Sequence, residues 1–187
     1  LQEAVDDNQA KAGGAIIMNP KNGDILAMAT YPNYNLNTPF EPNSEELKQS
    51  WDNLNNEEKN IELGKMWKDK NFSSTYEPGS TFKAVTMLTL LENNPDLSID
   101  DRMYLGTKDF KMFYGRKLQD SHLVTDENGY TTIRNAFEQS SNIAFATLVD
   151  ETFKNNPDRF IELIYQTKIH EPLNLDIKGE AKPDFKT

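Results

Sequence analysis

Ser80 and Lys83 are the two residues whose types and spacing best suit covalent chemistry. They lie three positions apart at the start of residues 80–92, an apolar segment that follows Pro78-Gly79 and is predicted to form a buried central helix. Side chains at positions i and i+3 share a helix face, so the lysine amine can reach the serine hydroxyl. Burial and the positive end of the helix both disfavour the ammonium form, and a neutral lysine can accept the proton of an attacking serine. The pair therefore predicts a nucleophile and its base.

Lys83 also breaks the usual pattern of a helix start. The first turn of a helix favours acids over cations, and a helix capped by Ser80 would normally carry Glu or Gln at position 83. The structural alternative is an ordinary serine cap followed by a lysine whose amine extends into solvent. The Ser-x-x-Lys spacing is common by chance, so spacing alone favours that alternative, and only the surrounding sequence can overturn it.

A second polar cluster lies between two predicted helices, over residues 132–139 and 143–154. It reads Ser140-Ser141-Asn142, and its side chains could serve a site or could cap the second helix, since Ser and Asn are favoured at helix starts. The two histidines, His122 and His170, lack the HxxxH spacing of a zinc site and are expected at the surface. Because the chain has no cysteine, thiolate nucleophiles, thiolate metal sites and disulfides are excluded.

Composition narrows the class of partner. The net charge is −10, with 30 acidic against 20 basic residues, which argues against a surface that neutralises nucleic-acid phosphates. No apolar run approaches the roughly 20 residues needed to span a bilayer. A protein with a packed core is expected, with any membrane anchor lying outside this chain.

The elements that must position these residues begin with a hairpin. Residues 13–18 and 25–29 are apolar β-prone runs separated by the turn cluster Asn19–Asp24, and their continuous apolar character predicts a sheet covered on both faces. Irregular chain is predicted for residues 31–44, and polar helix from Ser44 to about Lys70, with Ser44 as its cap. Short strands and turns are predicted over residues 96–130. An amphipathic helix is predicted from Arg159 to about Thr167.

Three stretches in order resemble the penicillin-binding transpeptidases. Residues 76–83 read Tyr-Glu-Pro-Gly-Ser-Thr-Phe-Lys and resemble the family's nucleophile motif, and residues 140–142 match its second motif, Ser-x-Asn. Residues 14–28 resemble the hairpin that opens the transpeptidase fold. Residues 156–160 and 171–180 resemble the division-specific class B (FtsI-type) members. The third family motif, Lys-Thr/Ser-Gly, is absent, and it is expected to follow beyond residue 187.

The resemblance implies an α+β fold, the penicillin-binding and serine β-lactamase-like transpeptidase fold, in partial form. Residues 1–187 would be part of one transpeptidase domain. It comprises the sheet hairpin (13–30), an irregular and helical connection (31–75), and the nucleophile helix with a helical subdomain (76–187).

The implied activity is peptidoglycan D,D-transpeptidation in septal wall synthesis. Ser80 would be the nucleophile, Lys83 its base, Ser140 a proton relay and substrate contact, and Asn142 the residue that holds the acyl side-chain amide; Ser141 is left as structural. No metal or organic cofactor is implied. The implied partners are peptidoglycan stem peptides, β-lactam antibiotics, and the glycosyltransferase and other proteins of cell division, with no nucleic acid. The implied location is the extracytoplasmic face of the inner membrane in the bacterial envelope.

Two alternatives stay open at this point. A serine β-lactamase or β-lactam sensor shares Ser-x-x-Lys and Ser-x-Asn on the same scaffold. A non-catalytic cell-wall binding module that keeps the fold is the other, although such a module has no need for a lysine at the start of the helix.

Overall fold

The computed structural model describes residues 1–185 and divides the chain into two compact units. The first comprises Leu1–Thr75 and Pro172–Pro183, and the second comprises Tyr76–Glu171 with residues 184–185. Both contain helices and short antiparallel strands, so the expected α+β class is confirmed. No helix among the described residues has the length and apolar character needed to cross a membrane.

The first unit is built on the hairpin. After a short helix α1 (Gln2–Asp7), strands β1 (Gly13–Met18) and β2 (Ile25–Tyr31) pair in antiparallel register, from Gly13 opposite Tyr31 to Met18 opposite Ile25. The turn between them closes through bonds from the backbone N–H of Gly23 to the Asn19 carbonyl (2.8 Å) and of Asn19 to the Asp24 carbonyl (2.8 Å). Gly23 has φ +81°, a left-handed conformation that favours glycine. The predicted hairpin and its turn are confirmed.

The expectation that this sheet is covered on both faces is wrong for this chain. Ile16 is 48% exposed and its neighbour Ile17 is 61% exposed. Successive side chains of a strand point to opposite faces, so both faces are open near the turn. The sheet has two strands, and the short helix α4 (Lys70–Ser73) packs near the other end, where the Asn71 side chain donates to the Ala29 carbonyl (2.9 Å). One short helix is too small to cover either face.

Irregular chain leads from β2 into three helices rather than one polar helical stretch. These are α2 (Glu45–Trp51), α3 (Asn56–Met66) and α4. Ser44 caps α2 as predicted, its hydroxyl accepting from the backbone N–H of Leu47 at 3.2 Å. Asn55 caps α3 with a reciprocal capping box through Glu58. The breaks fall where these caps begin new helices, because an N-cap residue has extended rather than helical backbone.

The second unit packs helices around one apolar core. A single 3₁₀ turn (Gly79–Thr81) leads into α5 (Phe82–Asn93), and after a β region come α6 (Ile133–Glu138), α7 (Asn142–Phe153) and α8 (Pro157–Gln166). The core is formed by buried apolar side chains from these four helices: Met87, Leu90, Ile133, Phe145, Leu148, Phe153 and Leu163. Helix α5 contacts both α7 and α8, so the predicted central helix is confirmed, with Leu88 on an exposed side.

Four short strands connect α5 to α6. Strand β3 (Arg102–Tyr104) pairs with β6 (Tyr130–Thr132), and β4 (Phe110–Phe113) pairs with β5 (Arg116–Gln119), both antiparallel. This confirms the short strands and turns predicted for the region. The chain leaves β5 directly at Asp120, which is buried against the start of α7.

Candidate active site

The serine of the Ser-x-x-Lys pair lies on the 3₁₀ turn that precedes α5. Gly79 has φ +58°, which turns the chain into the helix, and α5 begins at Phe82 without a side-chain cap. The expectation that Ser80 could cap this helix is wrong, because the intervening turn places it before the first helical residue. Its hydroxyl is instead 3.2 Å from the Lys83 amine, and the residue is exposed to solvent.

Lys83 joins the two motifs. Its side-chain nitrogen lies within hydrogen-bond distance of four oxygens: Ser80 Oγ (3.2 Å), Ser140 Oγ (3.0 Å), the Ser140 carbonyl (2.6 Å) and Asn142 Oδ1 (2.7 Å). The structure therefore brings together the four side chains that the sequence singled out, although 57 residues separate Lys83 from Ser140. The alternative of a lysine extended into solvent is wrong.

The four oxygens around the Lys83 amine can all be satisfied by its neutral form. The Ser140 carbonyl and Asn142 Oδ1 can only accept hydrogen bonds, and they make the two shortest contacts. A neutral amine has two N–H groups and one lone pair. If the two N–H groups donate to those acceptors, the lone pair is left for a hydroxyl that donates, from Ser80 or Ser140. The contact set thus suits a base that takes a proton from serine.

Burial acts on the amine in the same direction. Desolvation lowers the pKa of Lys83 below its ordinary value, and the negative charge of Asp120 opposes part of that decrease. The site also lies in the first turn of α5, where the helix dipole disfavours a cation. The neutral form of Lys83 is therefore more accessible than that of a solvent-exposed lysine.

Ser140 occupies a backbone position that ordinarily favours glycine. Helix α6 ends in a Schellman motif, in which the N–H of Ser140 donates to the Phe137 carbonyl (3.0 Å) and the N–H of Ser141 to the Ala136 carbonyl (2.9 Å). The residue at the Ser140 position of this motif is left-handed, and Ser140 has φ +55°. A residue with a Cβ is strained in this conformation, and glycine would not be. The presence of serine here therefore indicates a role for its hydroxyl.

This conformation gives a stability prediction. Ser140→Gly and Ser140→Ala both remove the hydroxyl, but only glycine relieves the left-handed backbone. We expect the glycine variant to be more stable than the alanine variant by about 1 kcal/mol. Urea unfolding of the two variants side by side measures the difference. Equal stabilities, or a more stable alanine variant, would show that the backbone at this position carries no strain.

The alternative that Ser140 or Asn142 merely caps α7 is also settled by the geometry. The cap is Ser141, which is 1% exposed and whose hydroxyl accepts from the backbone N–H of Ala144 at 3.0 Å. The interpretation of Ser141 as structural is confirmed. Ser140 and Asn142 direct their side chains to Lys83 instead, and Asn142 Nδ2 is also 3.4 Å from the Gln119 carbonyl.

Asp120 is a site residue that the sequence analysis missed. Its carboxylate accepts from the Ser141 hydroxyl (2.5 Å) and from the backbone N–H groups of Asn142 (2.6 Å) and Ile143 (3.2 Å). A single Asp more than 20 residues before its partners carries no local sequence signal. The one available signal was its position directly after a strand, where polar residues often enter sites.

The histidines stay outside this cluster. His122 is exposed and its ring bonds the Ser121 hydroxyl (2.9 Å) and the Gln139 side chain (3.0 Å), as expected for a surface residue. His170 is half-buried rather than fully exposed, because its ring packs on Tyr165 with centroids 4.3 Å apart.

Known proteins resemble this chain in sequence and in fold. The family model described as the penicillin binding protein transpeptidase domain matches residues 13–185. A relative named peptidoglycan D,D-transpeptidase FtsI, from Buchnera aphidicola subsp. Schizaphis graminum, is 26% identical over 184 residues, which are 97% of this chain and 27% of the relative. The chain spans about a quarter of the length of the curated relatives that it matches.

Solved structures establish the fold. A peptidoglycan glycosyltransferase from Burkholderia ambifaria superimposes with a TM-score of 0.70 at 18% identity, over 100% of this chain and 46% of that one. A Helicobacter pylori penicillin-binding protein, PBP2, solved in complex with MreC, gives 0.67 at 21% identity, over 97% of this chain and 31% of that one. The expected transpeptidase fold in partial form is confirmed.

Proposed function

Since the chain belongs to the penicillin-binding protein transpeptidase domain family, we propose that it carries the nucleophile of a peptidoglycan D,D-transpeptidase of the division-specific FtsI type. The contact set of Lys83 carries the proposal, because its amine lies within hydrogen-bond distance of the hydroxyls of both motif serines. The curated relatives named FtsI support the specific assignment to septal wall synthesis.

In the acylation step, Ser80 attacks the carbonyl carbon of the penultimate D-Ala of a stem peptide. As the Oγ–C bond forms, the hydroxyl proton passes to the neutral Lys83 amine, which lies 3.2 Å away. The N-terminal end of α5 stabilises the negative charge that develops at the reacting centre. The C–N bond to the terminal D-Ala then breaks, and that nitrogen leaves as an amine after receiving a proton from Lys83 through Ser140, whose hydroxyl is 3.0 Å from the amine.

In the second step, the acyl group passes to an amine of a neighbouring stem peptide. The attacking nitrogen gives up a proton along the same Ser140–Lys83 route, the new amide C–N bond forms, and the bond to Ser80 Oγ breaks with return of the proton to the serine. Asn142 would hold the acyl side-chain amide through one N–H of its Nδ2, while the other N–H keeps the contact to the Gln119 carbonyl at 3.4 Å. A later strand with Lys-Thr/Ser-Gly would supply an oxyanion-hole donor and bind the substrate carboxylate.

Partners and location follow from the same proposal. The substrates would be peptidoglycan stem peptides, and β-lactams would acylate Ser80 as mimics of D-Ala-D-Ala. The solved complex of PBP2 with MreC supports the proposal that this domain works in an assembly with other proteins. Here these would be the glycosyltransferase and other proteins of cell division. Action on peptidoglycan places the domain on the extracytoplasmic side of the inner membrane.

Acyl-enzyme lifetime tests the reaction class. The full-length protein encoded by the gene is treated with benzylpenicillin, and intact mass is followed over time. We expect one penicilloyl adduct that is released slowly. Rapid hydrolysis would indicate a β-lactamase, and absence of any adduct would indicate a non-catalytic module. Stem-peptide dimers formed from a peptidoglycan substrate would separate a transpeptidase from a β-lactam sensor.

A further inference from the structure

Asp120 is the one acidic side chain that is buried among residues 1–185, with 7% of its surface exposed. A buried carboxylate is costly unless its oxygens are well bonded. The backbone of Asp120 is also fixed, because its N–H donates to the Asp109 carbonyl at 2.8 Å, at the base of the β4–β5 hairpin. The groups that the Asp120 carboxylate binds therefore indicate its role.

The carboxylate holds three consecutive residues at the start of α7. Oδ1 accepts from the backbone N–H groups of Asn142 (2.6 Å) and Ile143 (3.2 Å), and Oδ2 accepts from the Ser141 hydroxyl (2.5 Å). Bonds from an N–H to an ionised carboxylate are shorter and stronger than those to a neutral acceptor. The Asp120 side chain therefore ties the start of α7 to the end of β5.

Helix capping alone does not account for this arrangement. The Ser141 hydroxyl accepts from the N–H of Ala144, and Asp120 accepts from two more of the four N–H groups that the start of a helix leaves without a helical partner. The two N–H groups bound by Asp120 flank Asn142, whose Oδ1 receives the Lys83 amine at 2.7 Å. Ser140, the other partner of Lys83, directly precedes the capping residue, so Asp120 fixes the turn from which both acceptors project.

We infer that Asp120 is a positioning residue of the acylation site, which holds the Ser140–Asn142 turn against Lys83. The inference rests on the proposed function for its effect on rate. It also has an electrostatic side, because the Asp120 charge favours the protonated form of Lys83 and opposes the effect of burial. The Asp120 carboxylate would thus affect both the position of the Lys83 amine and its basicity.

The other titratable side chains on the elements next to Asp120 contact groups other than Lys83. The Asp109 carboxylate accepts from the Gln119 side chain at 3.0 Å. The Lys117 amine lies 4.5 Å from the centre of the Phe110 ring. The Lys111 amine donates to the Thr147 hydroxyl at 3.1 Å on α7, and the His122 ring bonds Gln139. Lys83 is the group whose titration should respond to Asp120.

Asp120→Asn separates charge from shape. The asparagine can accept the two backbone N–H groups with Oδ1 and donate from Nδ2 to the Ser141 hydroxyl, but it carries no charge. We expect the pKa of Lys83 to decrease in this variant, and the acid limb of the penicillin acylation rate to move to lower pH with it. Asp120→Ala also removes the bonds, and displacement of the turn by about 1 Å would lower acylation by about a hundredfold.

The titration of Lys83 is followed by NMR in full-length protein that carries ¹³C-labelled lysine. The Lys83 resonance is identified as the one that is lost in the Lys83→Arg variant. Acylation rates are measured across pH on the same samples. Asp126→Asn is the matched control, since that carboxylate also accepts two backbone N–H groups at 2.9 Å but touches no partner of Lys83. It should leave both the titration and the acid limb unchanged.

The outcomes separate this inference from the proposed function. A Lys83 titration that shifts in Asp120→Asn and not in Asp126→Asn supports the inference, whether or not the protein acylates. A Lys83 titration and acid limb unchanged in Asp120→Asn, with only thermal stability reduced, would make Asp120 a helix cap and overturn it. A wild-type protein whose Lys83 titrates as expected but which takes up no penicillin would contradict the proposed function alone.

Discussion

Replacing Ser80 by Ala should abolish covalent uptake of a fluorescent penicillin by the full-length protein. Two serine hydroxyls contact the Lys83 amine, at 3.2 Å from Ser80 and 3.0 Å from Ser140, so distance alone does not choose the nucleophile. The helix ends do not choose it either, because Ser80 precedes the N-terminal end of α5 and Ser140 precedes that of α7. The resemblance chooses Ser80, which lies in the segment 76–83 that resembles the family's nucleophile motif.

Ser140→Ala is the matched control for this experiment. It removes the other hydroxyl on the same lysine, and it should slow the labelling without preventing it. Intact mass and peptide mapping after penicillin treatment identify the acylated residue. A penicilloyl adduct in the Ser80→Ala protein, or labelling lost only in Ser140→Ala, would assign the nucleophile to another residue.

Replacing Lys83 should have the second largest effect. Removal of a general base typically costs about 10²- to 10⁴-fold in rate, and we expect a loss in that range for Lys83→Ala. Lys83→Arg is the sharper test, because the guanidinium keeps the positive charge and the donors but cannot accept a proton in a protein. If Lys83 is the base, arginine should be about as slow as alanine.

The pH dependence of the wild-type protein completes this test. The neutral amine is the reactive form, so acylation should increase as pH increases through the pKa of Lys83. Because burial lowers that pKa, the midpoint should fall below about 10.4, the value of an unperturbed lysine. Stopped-flow or quenched-flow acylation rates measure it. An arginine variant that acylates at the wild-type rate would show that Lys83 acts only as a cation.

The sequence predicted most elements of the fold, and it singled out the residues whose side chains meet at Lys83, because both signals are local. A turn cluster between two apolar runs specifies the hairpin, and the apolar positions of residues 80–92 specify the central helix. Lys83 and the three residues that contact its amine were found through ordered motifs. Their meeting at one amine, across 57 residues, could be anticipated only from the resemblance.

Other features depend on contacts that no local pattern encodes. Asp120 reaches α7 from the end of a strand more than 20 residues earlier, and apart from its position after that strand nothing nearby distinguishes it from a surface acid. The start of α5 was misplaced because Gly79–Thr81 forms a 3₁₀ turn, which shares helical residue types. The open faces of the hairpin contradict its apolar pattern, since a pattern records which residues favour burial and not what is available to cover them.

The division into two units has a consequence for the order of folding. Residues 76–171 hold every candidate catalytic side chain in one uninterrupted stretch, so all contacts among them can form once residue 171 has been made. The first unit joins distant parts of the chain, with the N–H of Ala181 donating to the Phe72 carbonyl at 2.7 Å. Closing long loops costs more entropy and slows folding. During synthesis the hairpin leaves the ribosome before residues 76–171. Its unit cannot be completed until residue 181 has been made, when residues 76–171 are already available to fold.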